Sequence, residues 1–189
     1  MEKNILLVGV GGQGTLLVSK ILSEGLMEAG YDVKMSEIHG MSQRGGSVST
    51  HIKFGKKVYS PVISEGEADI LVSFEQVEAL RALPYLKKPG TVIVNDHQMY
   101  SMPIITGEQE YPEGVIEYLH KTVADTLSLD AGKIAEDLGN IKAQNVVLLG
   151  AMIKKLGLES IDWKSIIEKM VPEKFKELNI KAFEAGYAL

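Results

Sequence analysis

The chain has 189 residues, of which 45% are hydrophobic and 24% charged, and it carries a formal net charge of -5. These values are typical of one globular domain. They argue against a nucleic-acid binder, because phosphate recognition requires clustered Lys and Arg. The absence of cysteine excludes disulfides and thiolate-bound zinc or iron–sulfur clusters, and it suits a reducing cytoplasm. The apolar run Ile5–Val10 is too short for a signal-peptide core or a membrane span, so we expect no membrane partner.

The first 38 residues predict a βαβ unit. An apolar run over 4–8 indicates a strand buried on both faces. Apolar residues then recur at helical spacing from Leu16 to Met27 and predict a helix that ends near Gly30. The alternation over 32–38 predicts the second strand.

A β-hairpin is predicted next. The segments 47–54 and 57–63 are short β-type runs, and Gly55-Lys56 lies between them as a turn. Pro61 would place the second run at a sheet edge, because proline cannot donate a ladder hydrogen bond.

The rest of the chain predicts alternating strands and helices, and then helices alone. Strands are predicted over 69–74, 91–95 and 123–129, and helices over 77–86, 115–121, 133–138, 145–156, 162–170 and 175–185. Pro89-Gly90 is predicted to end the first of these helices, and Pro172 to separate the last two. The segment 97–114 is predicted as a loop, with room for a short strand. We therefore expect one domain over residues 1–189, with a Rossmann-like, mostly parallel sheet flanked by helices and an inserted β-hairpin.

A glycine loop follows the first predicted strand. Gly9, Gly11 and Gly14 match the pattern G-x-G-x-x-G where a strand leads into a helix, and Gly12 and Gln13 complete the loop. Such glycines allow a tight turn, a close approach of a ligand, and close packing of the helix. Exposed amides at the helix start favour an anion such as a phosphate.

Two interpretations of this loop are open at this point. Glu37 lies near the end of the second strand, where an acid can bind a ribose hydroxyl, so the pattern is compatible with NAD or flavin binding. Alternatively, the glycines only let the strand, turn and helix pack closely.

A second glycine-rich segment follows the second strand. It contains Met41, Ser42, Gln43, Arg44, Gly45 and Gly46, and it leads into β-type sequence rather than into a helix. The guanidinium of Arg44 suits a phosphate or a carboxylate. It is therefore either a binding or interface residue, or one partner of an internal ion pair. His39 is interpreted as an ordinary strand-end histidine, and Ser42 and Gln43 as possible turn residues.

The two segments together resemble the gamma-type domain of the 2-oxoacid:ferredoxin oxidoreductases. The residues that carry the resemblance are Gly-Val-Gly-Gly-Gln-Gly (9–14) and Gly-Met-Ser-Gln-Arg-Gly-Gly-Ser-Val (40–48). Within the family, the Met-Ser-Gln form and the chain length are most similar to the beta subunit of the indolepyruvate enzymes. The resemblance continues through Ala68-Asp69, Gly139-Asn140, Asn145 and Gly150 into 179–186, and so covers nearly the whole chain.

The resemblance implies that this chain works with a larger catalytic alpha subunit. That subunit would carry thiamine diphosphate and iron–sulfur clusters, with coenzyme A as co-substrate and ferredoxin as electron acceptor. The present chain has neither the cysteines nor the Gly-Asp-Gly…Asn-Asn signature of thiamine diphosphate domains. We therefore expect it to contribute no catalytic residue and to bind no metal. Its own contribution would be either to close the active site and support the partner, or to contact coenzyme A phosphates through the first glycine loop or Arg44. Residues 41–46 would face the partner or its substrate.

Two other functions compete with this one. The first is an independent NAD(P)- or flavin-binding oxidoreductase that uses the first glycine loop and Glu37, although no second domain for a substrate is evident. The second is a non-catalytic scaffold domain. A bound ligand on the purified chain, or a need for the chain in the partner's turnover, distinguishes these possibilities.

Overall fold

The computed structural model describes residues 2–40 and 46–189, which form a six-stranded sheet with helices on both faces. The strands are β1 (Lys3–Val10), β2 (Asp32–His39), β3 (Ser47–Gly55), β4 (Ala68–Ser73), β5 (Leu86–Asn95) and β6 (Asp125–Leu129). The α-helices are α1 (Thr15–Glu28), α2 (Gln76–Ala82), α3 (Met102–Ile105), α4 (Val115–Thr122), α5 (Ala131–Asp137), α6 (Gln144–Leu156), α7 (Trp163–Met170) and α8 (Lys176–Tyr187). Short 3₁₀ turns occupy Leu83–Tyr85, Ile141–Ala143 and Glu173–Phe175.

The strand order is β2-β3-β1-β4-β5-β6, and β3 is antiparallel to both of its neighbours. The pairs β1–β4, β4–β5 and β5–β6 are parallel. Five strands therefore run in one direction and β3 runs against them, which confirms the mostly parallel α/β fold. The carboxyl-terminal ends of these five strands lie along one edge of the sheet, which we call the carboxyl edge.

The central strand β1 is apolar on both faces because helices cover both sides of the sheet. Ile5 and Leu7 pack into the larger core cluster with α1 and α5–α8, and Leu6 and Val8 pack into a second cluster with α2 and α4. A continuous apolar run is the pattern expected of a strand buried in this way. Within the described residues, no helix is long and apolar enough to cross a membrane.

Side chains and glycine define several helix ends. Asp130 and Asp162 precede α5 and α7, and their carboxylates accept the amides of Lys133 and Ser165. Glu75 does the same for α2. Helix α6 ends at Gly157, which has a left-handed φ of 65°. These contacts satisfy amides and carbonyls that a helix leaves unpaired at its ends.

The antiparallel pair differs from the predicted hairpin. Strand β3 pairs with β2 and β1, so both of its edges are occupied and residues 57–63 cannot add to it. That segment is not a strand. The amides of Val58 and Ile63 instead bind the side chains of Asp32 and His51. The insertion of β3 also separates β1 from β2, which an ordinary βαβ unit would place side by side.

Two further predictions were wrong. Helix α2 ends at Ala82, before the 3₁₀ turn that contains Pro84, because Pro84 has no amide hydrogen with which to continue the helix. Pro89-Gly90 therefore ends no helix and lies within β5. The loop after β5 contains the short helix α3 rather than a strand. The other predicted strands and helices are confirmed, with bounds that differ by a few residues.

Candidate functional site

The glycine loop Gly9–Gly14 lies at the carboxyl edge, between β1 and α1. Gly12 and Gly14 have φ values of 99° and 82°, which other residues rarely adopt. A Cβ on Gly14 would also lie 2.4 Å from Nδ2 of Asn145, which donates a hydrogen bond to the Gly14 carbonyl at 3.3 Å. Position 14 therefore requires glycine both for its backbone conformation and for contact with α6.

The side chain of Gln13 holds this loop together. Its Oε1 accepts the amide of Val10 at 2.7 Å, and its Nε2 donates to the carbonyl of Phe74 at 3.0 Å. The residue is only 7% exposed. Gln13, which the sequence suggested as a ligand contact, thus ties β1 to the end of β4. A Cβ on Gly9 would lie 2.8 Å from the same Oε1, so glycine at 9 leaves room for this side chain.

The two glycine segments meet in the structure. The amide of Gly11 donates to the carbonyl of Gly46 at 2.9 Å, and the amide of Gly40 donates to the carbonyl of Ser47 at 2.8 Å. The predicted site residues Met41, Ser42, Gln43, Arg44 and Gly45 lie outside the described residues. Of the two flanking residues, Gly46 contacts the first glycine loop, and Gly40 contacts Ser47 at the start of β3.

The start of α1 is the part of this loop that is suited to an anion. Gly14 precedes the helix, no side chain caps it, and no acidic residue lies in the first turn. The first amides of an α-helix have no partner within the helix, and its dipole is positive at this end. A phosphate is the type of ligand that such a helix start accepts.

Sequence reasoning missed a buried polar network behind the loop. Asn95, at the end of β5, donates to the carbonyl of Phe74 at 3.3 Å and to Oε1 of Gln144 at 3.2 Å, and it accepts the amide of Ala131 at 2.9 Å. It is 1% exposed. The available signal in the sequence was a polar residue at the end of an apolar strand. This network joins the ends of β4 and β5 to the starts of α5 and α6.

Two buried glutamates at the start of α2 were also missed. Glu78 accepts the hydroxyl of Ser47 at 2.5 Å and pairs with Arg81 at 2.6 Å, so it fixes the start of β3 just after the second glycine segment. Glu75 is 1% exposed, and its Oε1 accepts the amide of Met99 and the hydroxyl of Tyr111. Burial and the neighbouring Glu75 raise the pKa of Tyr111, so its hydroxyl remains a donor.

Glu37 does not lie where a dinucleotide would require it. Strand β3 separates β2 from β1, so two strand spacings, about 10 Å, lie between them. In the register of the sheet Glu37 lies level with Leu7, before the glycine loop begins. Its carboxylate contacts Nε2 of His39 at 2.6 Å and accepts the hydroxyl of Thr50 at 3.1 Å. Both Glu37 and His39 therefore make local contacts on β2.

Metal ligands are not grouped in the part of the chain that the structure describes. No cluster of three or more His, Asp or Glu side chains that could hold an ion occurs in residues 2–40 and 46–189. What these residues bring together is a closed glycine loop, an uncapped helix start and the ends of a second glycine segment. This geometry suits the binding of an anionic group or contact with another protein.

The sequence and the fold of the chain match those of known proteins. The family model described as pyruvate ferredoxin/flavodoxin oxidoreductase matches residues 4–189. The chain is 41% identical to the indolepyruvate oxidoreductase subunit IorB of Pyrococcus horikoshii, over 98% of this chain and 94% of that protein. The solved structure of the keto/oxoacid ferredoxin oxidoreductase gamma subunit from Geobacter sulfurreducens has a TM-score of 0.72 and 25% identity, and the match covers 98% of this chain and 96% of that one.

The same fold also occurs within a longer chain. The 2-oxoglutarate:ferredoxin oxidoreductase of Magnetococcus marinus, solved with 2-oxoglutarate, coenzyme A and succinyl-CoA bound, matches 99% of this chain but only 30% of its own. Its TM-score is 0.70 and its identity 16%, so this match supports the fold alone. The family model and the relative from Pyrococcus horikoshii match nearly the whole sequence, and they show that the chain belongs to the pyruvate ferredoxin/flavodoxin oxidoreductase family.

Proposed function

We propose that this chain is the small subunit of a cytoplasmic indolepyruvate:ferredoxin oxidoreductase. The observation that carries the proposal is the 41% identity to a subunit of an indolepyruvate oxidoreductase over almost the whole length of both chains. The complex would convert an aryl pyruvate, coenzyme A and oxidised ferredoxin into an aryl-acetyl coenzyme A, carbon dioxide and reduced ferredoxin. Thiamine diphosphate and iron–sulfur clusters on a larger alpha subunit would supply the decarboxylation and the electron transfer.

The contribution of this chain would be positioning at the carboxyl edge. The start of α1 would accept a phosphate of coenzyme A, since no side chain caps this helix and its first turn contains no acidic residue. The segment Gly40–Ser47, with Arg44 in it, would face the larger subunit or its substrate. Carboxyl edges of open α/β sheets are where ligands commonly bind. We further propose that residues 1–189 act as one domain in this role.

Reconstitution with the larger subunit tests the proposal. We expect the purified chain to be folded, colourless and unable to reduce a dye with indolepyruvate, because it has no cysteine with which to hold a cluster. Mixing it with the larger subunit should give or strongly increase indolepyruvate-dependent ferredoxin reduction. Dye reduction by the chain alone would contradict the proposal, and so would a larger subunit with the same rate in the presence and absence of the chain.

A further inference from the structure

Three exposed apolar side chains lie close together in the sequence after β5. Tyr100, Met102 and Ile105 are 54%, 67% and 64% exposed, and we call them the α3 patch. They belong to the connection that leaves the carboxyl edge, where the glycine loop also lies. No residue from 96 to 114 is buried, so this connection contributes nothing to either core cluster.

A buried carboxylate holds this connection in place. Oε1 of Glu75 accepts the amide of Met99 at 3.2 Å and the hydroxyl of Tyr111, which lie at the two ends of the loop 99–111. Its Oε2 caps α2 through the amide of Glu78 at 3.0 Å. The rings of Tyr111 and Tyr100 lie 5.5 Å apart, so the anchored end also supports the patch.

The anchoring requires a buried carboxylate, whose desolvation costs free energy, although the loop adds nothing to the hydrophobic core. Removing a carboxylate from water is unfavourable unless its oxygens are hydrogen-bonded, and two of the three donors to Glu75 come from this loop. A compact loop whose ends are held together has the form of an Ω-loop, a class that is frequently functional. Glu75 therefore fixes the loop while its apolar side chains Met102 and Ile105 stay exposed.

The stretch of chain that carries the patch has side-chain charges of one sign. Residues 89–120 contain no Lys or Arg, and they contain five carboxylates. These are Asp96, Glu108, Glu110, Glu113 and Glu117. The apolar side chains of the patch thus lie within an acidic stretch of the chain. Such a surface is complementary to an apolar surface with Lys and Arg at its rim.

We propose that the α3 patch docks on the larger catalytic subunit, at an apolar surface surrounded by basic residues. This inference rests on the proposed function and adds to it the surface by which the two subunits meet. A second copy of this chain is a poorer occupant, because a two-fold interface at the patch would bring the acidic stretches of the two copies together. Docking here would also place the partner at the carboxyl edge of the sheet, where the glycine loop lies.

The test compares two exposed apolar sites on the full-length chain. The double variant Met102→Asp with Ile105→Asp places charge in the patch, and Tyr59→Asp is the control, because Tyr59 is 88% exposed but lies in the connection between β3 and β4. Each variant is titrated into the larger subunit and its Kd measured. We expect the double variant to raise Kd about thirtyfold, as for the loss of an interface hot spot, and the control to leave it within about threefold.

A second pair of substitutions changes the charge near the patch and leaves its apolar side chains unchanged. Glu108→Lys with Glu110→Lys should raise Kd about tenfold at low salt, and the difference from wild type should shrink as salt screens the charges. Circular dichroism and thermal melting establish that each variant is folded. If the aspartate variant misfolds, the Kd of the lysine variant tests the docking surface.

The outcomes separate the two proposals. A wild-type chain that neither binds the larger subunit nor supports its turnover overturns the proposed function. A wild-type chain that does both, together with patch and charge variants of unchanged Kd, overturns only the docking surface. The docking surface is equally overturned if the variants alter only self-association of this chain or the KM for ferredoxin.

Discussion

At the scale of single residues, polar side chains at the carboxyl edge serve mainly to fix the backbone around the candidate site. Gln13 closes the glycine loop, Asn95 joins two strand ends to two helix starts, and Asn145 contacts the carbonyl of Gly14. The motif indicated that position 13 matters, but only the structure shows that both functional groups of Gln13 are used internally. Among the described residues of the two glycine segments, the start of α1 is therefore the part where no side chain caps the helix.

His51 gives a prediction about pH at this scale. Its ring is 7% exposed, and its Nδ1 accepts the amide of Ile63 at 3.0 Å. Burial, with a smaller effect of the charge on Lys53, lowers the pKa of His51 below its usual 6.5. Between pH 6.5 and the lower pKa of the folded state, the unfolded chain binds a proton at His51 that the folded chain does not bind. The free energy of unfolding therefore decreases as the pH falls from 6.5 towards that lower pKa.

The variant His51→Asn isolates this effect, because Oδ1 of Asn can accept the Ile63 amide but does not titrate. Urea unfolding of both proteins between about pH 7.5 and pH 5.5 should show a steeper loss of stability for the wild type. The variant is expected to be less stable at every pH, since it loses the ring contact with Tyr85. Parallel pH profiles for the two proteins would show that His51 does not cause the dependence.

At the scale of elements, helices α6 and α8 cross at two glycines. A Cβ on Gly150 would lie 2.1 Å from the carbonyl oxygen of Phe183, and one on Gly186 would lie 1.9 Å from that of Val147. The family resemblance included both positions, but neither motif nor periodicity predicts such a contact. The close approach of the two backbones explains why these helix positions lack side chains.

Gly150→Ala should therefore destabilise the fold, although alanine is the better helix former by about 1 kcal/mol. The overpacked crossing should lower the free energy of unfolding by about 2–3 kcal/mol. The melting temperature should fall by roughly 5–10 °C. Lys154→Ala, an exposed change on the same helix, is the matched control and should stay within about 0.5 kcal/mol of wild type. An alanine variant as stable as the control would mean that the helices can separate without cost.

At the scale of the whole molecule, the order of the strands decides which contacts a ligand at the glycine loop can make. A dinucleotide site needs the acid of the second strand beside the first loop, and here β3 lies between them. The sheet therefore retains an uncapped helix start after the glycine loop, but it has no acid in position to contact a ribose. This agrees with a subunit that meets a coenzyme or partner at one edge, and not with an independent dinucleotide enzyme.

We accordingly expect no useful binding of NAD, NADP or FAD. Calorimetric titration of each into the purified chain should give a Kd weaker than about 1 mM, since only one phosphate-type contact is available. Glu37→Ala should bind these dinucleotides as weakly as the wild type. Micromolar binding that this variant loses would restore the dinucleotide interpretation.

The sequence by itself determined the α/β class, most strands and helices, both glycine segments and the family. Apolar runs, helical spacing and glycines before a helix are local patterns, and local patterns are what a sequence displays directly. Only the tertiary structure decided that β3 lies between β2 and β1, that Gly11 meets Gly46, and that Glu75 anchors the loop 99–111. These contacts join residues far apart in the chain. Strand order and side-chain burial, which no single segment encodes, bring them together.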